Sequence, residues 1–295
     1  TTVAAARHAS LLGDLEPEAI VVLDASEVLE SELLPALTPA AKRLVLIGDR
    51  RAVAPRSAVT RVSRRFRLDG SLFERLLNHG VASVQLQQQM RLSPRLSQLL
   101  SPVYPALQDH PHAARGGAAG VRGLERPLFF VRHTKPEVAA DAAAAATTSR
   151  SNPHEARFVV ALASYLLRQG YAASQLAILA PYAGQVLAIR REAKAEAGRG
   201  ADGMNKVRVN TVDGFRGEQA EVVLLSLVRS PPAPTAAGGA AAGAATAAAS
   251  ELGGHGGEVG SLGSEARVAS AFSRAALGLY VIGNAEFHAA HSNTW

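Results

Sequence analysis

Eight short apolar runs divide this chain of 295 residues, and they restrict its fold more than any other feature. They lack a strict alternation of apolar and polar residues, which is typical of strands covered on both faces in a parallel sheet. Helical spacing lies between them: Val159, Val160, Ala163, Leu166 and Leu167 would share one face of a helix. Alternating strands and helices over this length predict an α/β fold with crossover connections. The runs are AIVVLD (19–24), RLVLIGD (43–49), VASVQL (81–86), LFFVRH (128–133), QLAILAPY (175–182), KVRVNTVD (206–213), AEVVLLSLV (220–228) and LGLYVIGN (277–284).

Two low-complexity segments interrupt this pattern. Residues 138–149 are mostly alanine, and residues 231–264 form a tract of Pro, Ala, Gly and Ser. Such a tract buries too little apolar surface to offset the entropy lost on ordering, so we expect the second to be a disordered insertion in a loop.

Composition restricts the partners and the compartment. The formal net charge of +6 favours a polyanion, with nucleic acid first, although Arg and Ala enrichment from GC-rich coding would give the same charge. With zero cysteines, disulfides and Cys-bound zinc are excluded within this segment.

No apolar run approaches the roughly 18 residues of a membrane span, and no signal peptide opens the chain. We therefore expect an intracellular protein of the nucleus or cytoplasm, without membrane contact. Because Thr1 takes the place of an initiator methionine, we expect a piece of a longer protein.

Two of the apolar runs end in an aspartate. Asp24 closes the first run, and Asp49 closes the second within IGDRRAVAP (47–55). If these are adjacent parallel strands, both carboxylates lie at the edge where α/β folds bind ligands. A carboxylate there can hold a hydrated Mg²⁺ against nucleotide phosphates. The alternative is that each aspartate only caps the helix that follows.

Ordered motifs along the chain decide between these interpretations. They are SLFERL (71–76), LQQQMRLSP (86–94), LAILAPYAGQ (176–185), VNTVDGFRGEQAEVVLLSLVRS (209–230) and ASAFSRAALGLYVIGN (269–284). Further segments are TTVAAARH (1–8), ASEVLES (25–31), LIGDRRAVAP (46–55), LFFVRH (128–133) and LLSLVRS (224–230). The ordered motifs resemble superfamily 1 helicases of the Upf type, and the further segments make the resemblance strongest to the NFX-type zinc-finger-containing helicases.

The resemblance implies two RecA-like domains of the P-loop NTPase fold, with parallel sheets flanked by helices. Residues 1–84 would be the carboxyl-terminal half of the first domain and residues 85–295 the complete second domain, with a hinge near 81–88. The phosphate-cradling P-loop would lie upstream of Thr1. The family binds ATP with Mg²⁺ in the cleft between its domains and nucleic acid across their top.

The resemblance also assigns the nucleotide-site residues. Asp24 matches the acid that meets Mg²⁺ through water, and Gly48 and Asp49 match the motif that follows. Arg91 and Arg274 match two arginines that reach the γ-phosphate, and together with Asp24 they are the predicted catalytic residues. Asp213 and Arg267 complete the predicted nucleotide-binding set.

Several family residues are replaced, which puts hydrolysis in doubt. The glutamate that polarises the attacking water is missing after Asp24: either Ala25 replaces it, or one residue is deleted and Ala25 belongs to the segment that follows. The glutamine that senses the γ-phosphate is Ala52. Later in the chain, Arg216 stands for a glutamine and Gln219 for a glutamate. General-base help typically contributes about 10²- to 10⁴-fold, so the surviving arginines cannot replace it entirely.

The predicted nucleic-acid contacts are Thr1 or Thr2, Pro181, Tyr182 and Thr211, where the family touches the sugar–phosphate backbone. A separate segment, residues 51–67, contains six arginines, among them Arg61, Arg64 and Arg65. We expect this loop to add electrostatic grip on RNA. The alternative is that the loop is simply solvated and that its arginine content reflects the composition bias of the whole chain.

Three functions remain open from the sequence. The first is an ATP-dependent RNA helicase motor that binds single strands independently of sequence. The second is a pseudo-helicase that holds RNA, or proteins of RNA silencing or surveillance, without hydrolysis. The third is a DNA-directed helicase of the same superfamily.

Overall fold

The computed structural model describes residues 14, 16–55, 63, 65–66, 68–113, 120–138, 149–231 and 259–292. The chain divides into two compact units, Thr1–Leu86 and Gln87–Trp295. The assignment of these units to parts of two RecA-like domains, and the hinge between them, stay predictions. In the described part of the chain, no helix is long and apolar enough to cross a membrane.

The first unit is built on two parallel strands, β1 (Ala19–Val22) and β2 (Arg43–Leu46), which pair residue by residue. Helix α1 (Glu30–Leu33) follows β1, and helix α2 (Leu72–Asn78) comes later. The hydroxyl of Ser71 caps α2 by accepting a hydrogen bond from the Glu74 backbone N–H. The small core of this unit consists of Val22, Ala25, Leu33 and Leu72.

The second unit contains a five-stranded, wholly parallel sheet, as the apolar runs predict. Its strands are β5 (Leu128–Arg132), β6 (Leu176–Ala180), β7 (Arg208–Thr211), β8 (Ala220–Ser226) and β9 (Ala275–Gly283). They are arranged in the order β5-β9-β8-β6-β7. A separate short parallel pair is β3 (Gln88–Gln89) and β4 (Gln108–Asp109).

Successive residues of the central strands enter different cores, because side chains in a strand alternate between the two faces. In β6, Leu176 and Ile178 belong to one core, whereas Ala177 and Leu179 belong to the other. Both faces of the sheet are therefore covered, and this explains why the strands read as continuous apolar runs.

Long helices cover one face, and shorter helices cover the other. The predicted apolar stripe lies in α4 (Pro153–Arg168), which packs with α5 (Ala183–Gly198) over the first core. On the second face lie α3 (Pro94–Ser97) and α6 (Glu265–Phe272), while α7 (Ala285–His291) ends the described chain. The 3-10 turns are Ala25–Glu27, Leu34–Ala36, Gln98–Leu100, Ala173–Gln175, Met204–Lys206, Asp213–Phe215 and Gly260–Gly263.

Two sequence predictions are corrected. Residues 81–86 form no strand, and Val84 and Leu86 are 93% and 88% exposed, so this apolar run has no neighbour to pair with in the described structure. At the end of the tract predicted to be disordered, Val259 and Leu262 are each only 1% exposed, because Leu262 packs into the second core. Residues 139–148 and 232–258 lie outside the described residues.

Candidate nucleotide and nucleic-acid sites

The two predicted acids follow neighbouring strands of the first unit. Because β1 and β2 are parallel and in register, Asp24 and Asp49 both lie beyond their carboxyl ends. Asp24 is exposed and adopts a left-handed backbone conformation with φ 50°. The Asp49 backbone N–H donates to the Ser26 hydroxyl at 3.1 Å, which ties the second acid to the turn after the first.

Gly48 makes this close approach possible. A Cβ at position 48 would lie 2.8 Å from the Ser26 backbone nitrogen, closer than real Cβ atoms come. Any side chain here would push the loop of Asp49 away from the turn of Asp24. The residue is therefore needed for the shape of the edge, while its contact with a nucleotide stays a prediction.

Ala25, which occupies the position directly after the acid, points into the core. Its side chain is only 1% exposed, it packs with Leu33 and Leu72, and its backbone N–H donates to the Ile47 carbonyl at 2.8 Å. Leu23, on the other side of Asp24, is 68% exposed. The outward-facing neighbour of Asp24 is therefore Leu23.

The exposed Asp24 fits the way proteins bind Mg²⁺. This ion keeps several waters and is usually held by one or two carboxylates together with substrate phosphates. Among the described residues, no three His, Cys, Asp or Glu side chains are grouped closely enough to enclose a metal alone. If the family's Mg²⁺ binds here, Asp24 is the residue that would hold it through water, with Asp49 at the same edge.

The two predicted catalytic arginines lie at the amino edge of the five-stranded sheet. Arg274 directly precedes β9, and its carbonyl accepts a hydrogen bond from the Ala220 N–H at the start of β8. The segment after Arg91 is anchored beside it, because the Ser93 N–H donates to the Ala276 carbonyl at 2.8 Å. The structure therefore brings these two segments together.

A buried glutamine shapes the turn that carries Arg91. The side-chain oxygen of Gln89 accepts from the backbone N–H groups of Arg91 and Leu92 at 2.9 and 2.8 Å. Its nitrogen donates to the Leu92 carbonyl and to Asp109. The sequence prediction missed this residue, although it lies only two positions before Arg91 in the same motif.

The guanidinium of Arg274 is held by its own helix end. It donates to the Ser270 carbonyl at 2.9 Å, to the Ser273 hydroxyl at 2.9 Å and to the Glu218 carbonyl at 3.3 Å. These backbone and hydroxyl acceptors fix the direction in which the guanidinium of Arg274 points.

The other two predicted nucleotide-site residues form an ion pair. Arg267 Nε lies 3.5 Å from Asp213 Oδ1, and Arg216 Nη2 lies 3.1 Å from the same oxygen. Arg216, at the position of the family's glutamine, therefore adds a second cation to Asp213. Contact of these residues with a nucleotide stays a prediction.

Pro181, Tyr182 and Thr211 meet at the opposite, carboxyl edge of the same sheet. Pro181 and Tyr182 follow β6, and Thr211 ends β7 opposite Ala180. The Thr211 hydroxyl accepts from the Gly214 N–H at 3.0 Å. Gly260, with φ +75°, leaves room for the Tyr182 hydroxyl, which a Cβ at that position would overlap. Thr1, Thr2, Arg61 and Arg64 lie outside the described residues.

A buried polar network under this carboxyl edge was not predicted. Glu155 is 0% exposed, and its carboxylate accepts from the Ser226 hydroxyl at 2.5 Å and the Val228 N–H at 2.9 Å, while His133 Nε2 lies 2.9 Å away. Gln185 donates to the Ser226 hydroxyl at 2.9 Å. Val228 adopts a left-handed φ of 72°, and the network fixes the turn in which it lies.

The carboxyl edge also contains a histidine whose pKa is strongly lowered. Burial, followed by the positive charge of Arg229 and by His291, lowers the pKa of His288 to about 4. Burial and the neighbouring His133 likewise lower the pKa of His154. Both histidines lie in helices that begin just after this edge.

Known proteins are similar to this chain over most of its length. Residues 68–286 match the family model described as AAA domain. Human NFX1-type zinc finger-containing protein 1 is 38% identical over 231 residues, which are 78% of this chain and 11% of that protein. "Helicase required for RNAi-mediated heterochromatin assembly 1" of Schizosaccharomyces pombe is 30% identical over 100% of this chain and 26% of its own length. The Arabidopsis thaliana "Regulator of nonsense transcripts 1 homolog" is 28% identical over 72% of the chain and 17% of its own length.

Proposed function

Because the chain belongs to the Upf-like family of superfamily 1 helicases, we propose that it is part of an ATP-dependent motor that acts on RNA. The chain spans between 11% and 26% of these relatives, so the activity proposed concerns the longer protein. In this proposal, the first unit is the carboxyl-terminal half of one RecA-like domain, and the second unit is a complete one.

One observation carries the proposal of an ATP site. Arg274 and the segment of Arg91 are anchored side by side at the amino edge of the sheet, and the guanidinium of Arg274 is held by the Ser270 carbonyl and the Ser273 hydroxyl. Two guanidinium groups positioned at one edge can stabilise the charge that develops on a γ-phosphate. We assign that role to Arg274 and Arg91, and the Mg²⁺-linked role to Asp24.

The preference for RNA over DNA rests on the relatives. Two of them carry names that refer to nonsense transcripts and to RNAi-mediated heterochromatin assembly. We propose that a single RNA strand crosses Pro181, Tyr182 and Thr211, where hydroxyl and backbone groups position it without reading its sequence. An intracellular role in RNA silencing or surveillance, in the nucleus or cytoplasm, fits the same names.

The test is RNA-stimulated ATP hydrolysis by the full-length protein. We expect turnover that disappears in Asp24→Ala and persists in Asp202→Ala, an exposed aspartate of the second unit. A DNA strand of the same sequence should stimulate less than RNA. Equal stimulation by DNA would overturn the preference for RNA, while the proposal of an ATP-dependent motor would stand.

Binding of RNA without hydrolysis is the second candidate, and the burial of Ala25 favours it. A core residue follows Asp24 directly, which fits the deletion of one residue from the acidic pair better than the replacement of a glutamate by Ala25. Absence of ATP hydrolysis together with tight RNA binding would support this second candidate, a pseudo-helicase that holds RNA.

Two variants separate the alternatives for Ala25. Leu23→Asp adds a carboxylate at an exposed position beside Asp24, and we expect it to raise turnover by about 10²-fold. Ala25→Glu would bury a carboxylate against Leu33 and Leu72, so we expect loss of stability without gain of turnover. If Ala25→Glu restores hydrolysis and Leu23→Asp does not, Ala25 stands at the place of the glutamate.

A further inference from the structure

A pocket of about 650 Å³ lies along the outer strand of the sheet. Strand β7 is the last in the order β5-β9-β8-β6-β7, so the side of β7 away from β6 pairs with no strand in the described structure. The pocket is formed by α5, the turn Met204–Lys206, β7 and the segment of Phe215 and Glu218. Its volume is in the usual range of ligand sites, about 300–1,000 Å³.

The lining of this pocket is strongly cationic. Arg190, Lys194, Lys206 and Arg208 line it, and Glu218 is its only carboxylate. That carboxylate is already paired, because Arg208 Nη1 lies 2.9 Å from Glu218 Oε2. Within the described ranges, the side-chain ammonium groups of Lys194 and Lys206 have neither an ion-pair nor a hydrogen-bond partner. Two ammonium groups therefore face a concave surface without a counter-charge.

The floor of the pocket is rigid and apolar. Met204 is 0% exposed and Phe215 is 1% exposed. Arg208 stacks on the Phe215 ring at 5.0 Å and donates to the carbonyls of Ser174 and Gln219 at 2.9 and 2.8 Å. The pocket is thus formed before a ligand enters, which reduces the ordering cost of binding.

The open edge of β7 is unsuited to an added peptide strand. Arg190 Nη2 donates to the Val209 carbonyl at 2.7 Å, which occupies an acceptor that such a strand would need. Arg190 and Lys194 are four residues apart in α5, so they lie on the same helix face. Cations along a groove with amide groups such as Asn205 suit a phosphodiester backbone.

We propose that this pocket binds the phosphates of an RNA strand, as a second contact separate from the carboxyl edge. The inference rests on the proposed action on RNA but assigns a site of its own. Lys194 and Lys206 are the cations available to a ligand, because Arg190 already donates to the Val209 carbonyl and Arg208 is paired with Glu218.

The test compares the salt dependence of RNA binding in matched double variants of the full-length protein. The probe is a fluorescein-labelled oligouridylate, titrated without ATP at several salt concentrations. For Lys194→Gln with Lys206→Gln, we expect weaker binding and a slope of log K against log salt that is smaller by about 1.4, or about 0.7 for each lost phosphate contact. Lys42→Gln with Arg191→Gln removes the same charge outside the pocket and should leave the slope unchanged.

A third variant separates this site from the carboxyl edge. Tyr182→Ala should weaken binding by about tenfold without changing the salt slope, because the lost hydroxyl is uncharged and its contact releases no counterion. If Tyr182→Ala weakens binding but the lysine pair does not change the slope, the pocket proposal is overturned while the carboxyl edge stands. An equal slope change in both double variants also overturns it, since net charge alone would then explain the result. Loss of polyglutamate binding with unchanged RNA binding would assign the pocket to an acidic protein segment instead.

Discussion

At the amino edge of the five-stranded sheet, Arg274 is held by acceptors of its own helix end and a nearby loop. At the carboxyl edge, the buried carboxylate of Glu155 is held by groups from two separate segments: His133, and Ser226 with Val228 at the end of β8. The first arrangement is partly exposed, whereas the second is buried.

This difference suggests different roles for the two charged groups: Arg274 for binding a ligand, and Glu155 for stabilising the fold. A guanidinium at a solvent-accessible edge can meet a ligand phosphate without losing a buried partner. A carboxylate inside the protein must keep its hydrogen bonds, because an unpaired buried charge is costly. We therefore expect changes at the amino edge to affect turnover and changes at the carboxyl edge to affect stability first.

The largest effect is expected for Arg274→Ala. Loss of an arginine that stabilises transferred phosphate should lower RNA-stimulated ATP hydrolysis by about 10³-fold. The free energy of unfolding should change by no more than about 1 kcal/mol, since the lost hydrogen bonds are few and partly exposed. Arg199→Ala, at an exposed ion pair, is the matched control and should change neither quantity. A fully active Arg274→Ala protein would contradict the expectation that changes at the amino edge affect turnover.

Glu155→Ala tests the opposite edge. It leaves the Val228 N–H and the Ser226 hydroxyl without their buried acceptor, so the free energy of unfolding should fall by about 3 kcal/mol. Urea denaturation measures this change.

A matched carboxylate of the amino edge serves as control. Glu218→Ala breaks an ion pair whose side chains are 35% and 49% exposed, and it should cost less than about 1 kcal/mol. Equal losses in the two variants would mean that the carboxyl-edge network is no more important to stability than a surface ion pair.

Acid should destabilise the carboxyl edge through His288. Its pKa is lowered to about 4 in the folded protein, against 6.5 in the unfolded chain, so the unfolded state takes up the proton first as pH falls. Stability is therefore retained above pH 6.5 and lost progressively towards pH 4, by up to about 3 kcal/mol from this group. Denaturation across that range should show a smaller slope in His288→Gln, whereas His112→Gln, an exposed histidine, should behave as the parent. An unchanged slope in His288→Gln would show that other groups carry the acid sensitivity.

The same contrast explains what the sequence could predict. The parallel sheet was predictable because strands covered on both faces must be apolar throughout, as β6 and β8 are. Arg274 could be singled out because it lies in one contiguous motif, and its role towards the γ-phosphate stays a prediction. The network of Glu155 was not, since its partners lie up to 73 residues away in the chain and each alone is an ordinary polar residue. The strand predicted at 81–86 failed because apolar runs do not reveal whether a pairing neighbour exists.

Gln89→Ala is the smallest change and the sharpest test of the contrast, because Gln89 is a buried polar residue at the amino edge. Its amide accepts from the Arg91 and Leu92 N–H groups, and removing it should lower the free energy of unfolding by about 2 kcal/mol. The turn that carries Arg91 would then loosen, so the KM for ATP should rise in parallel. Gln88→Ala, the exposed neighbour, is the matched control and should leave both quantities unchanged. If Gln89→Ala lowers stability without changing the KM for ATP, the position of Arg91 does not depend on this turn. The amino edge would then contain a buried polar residue that only stabilises the fold, as the carboxyl edge does.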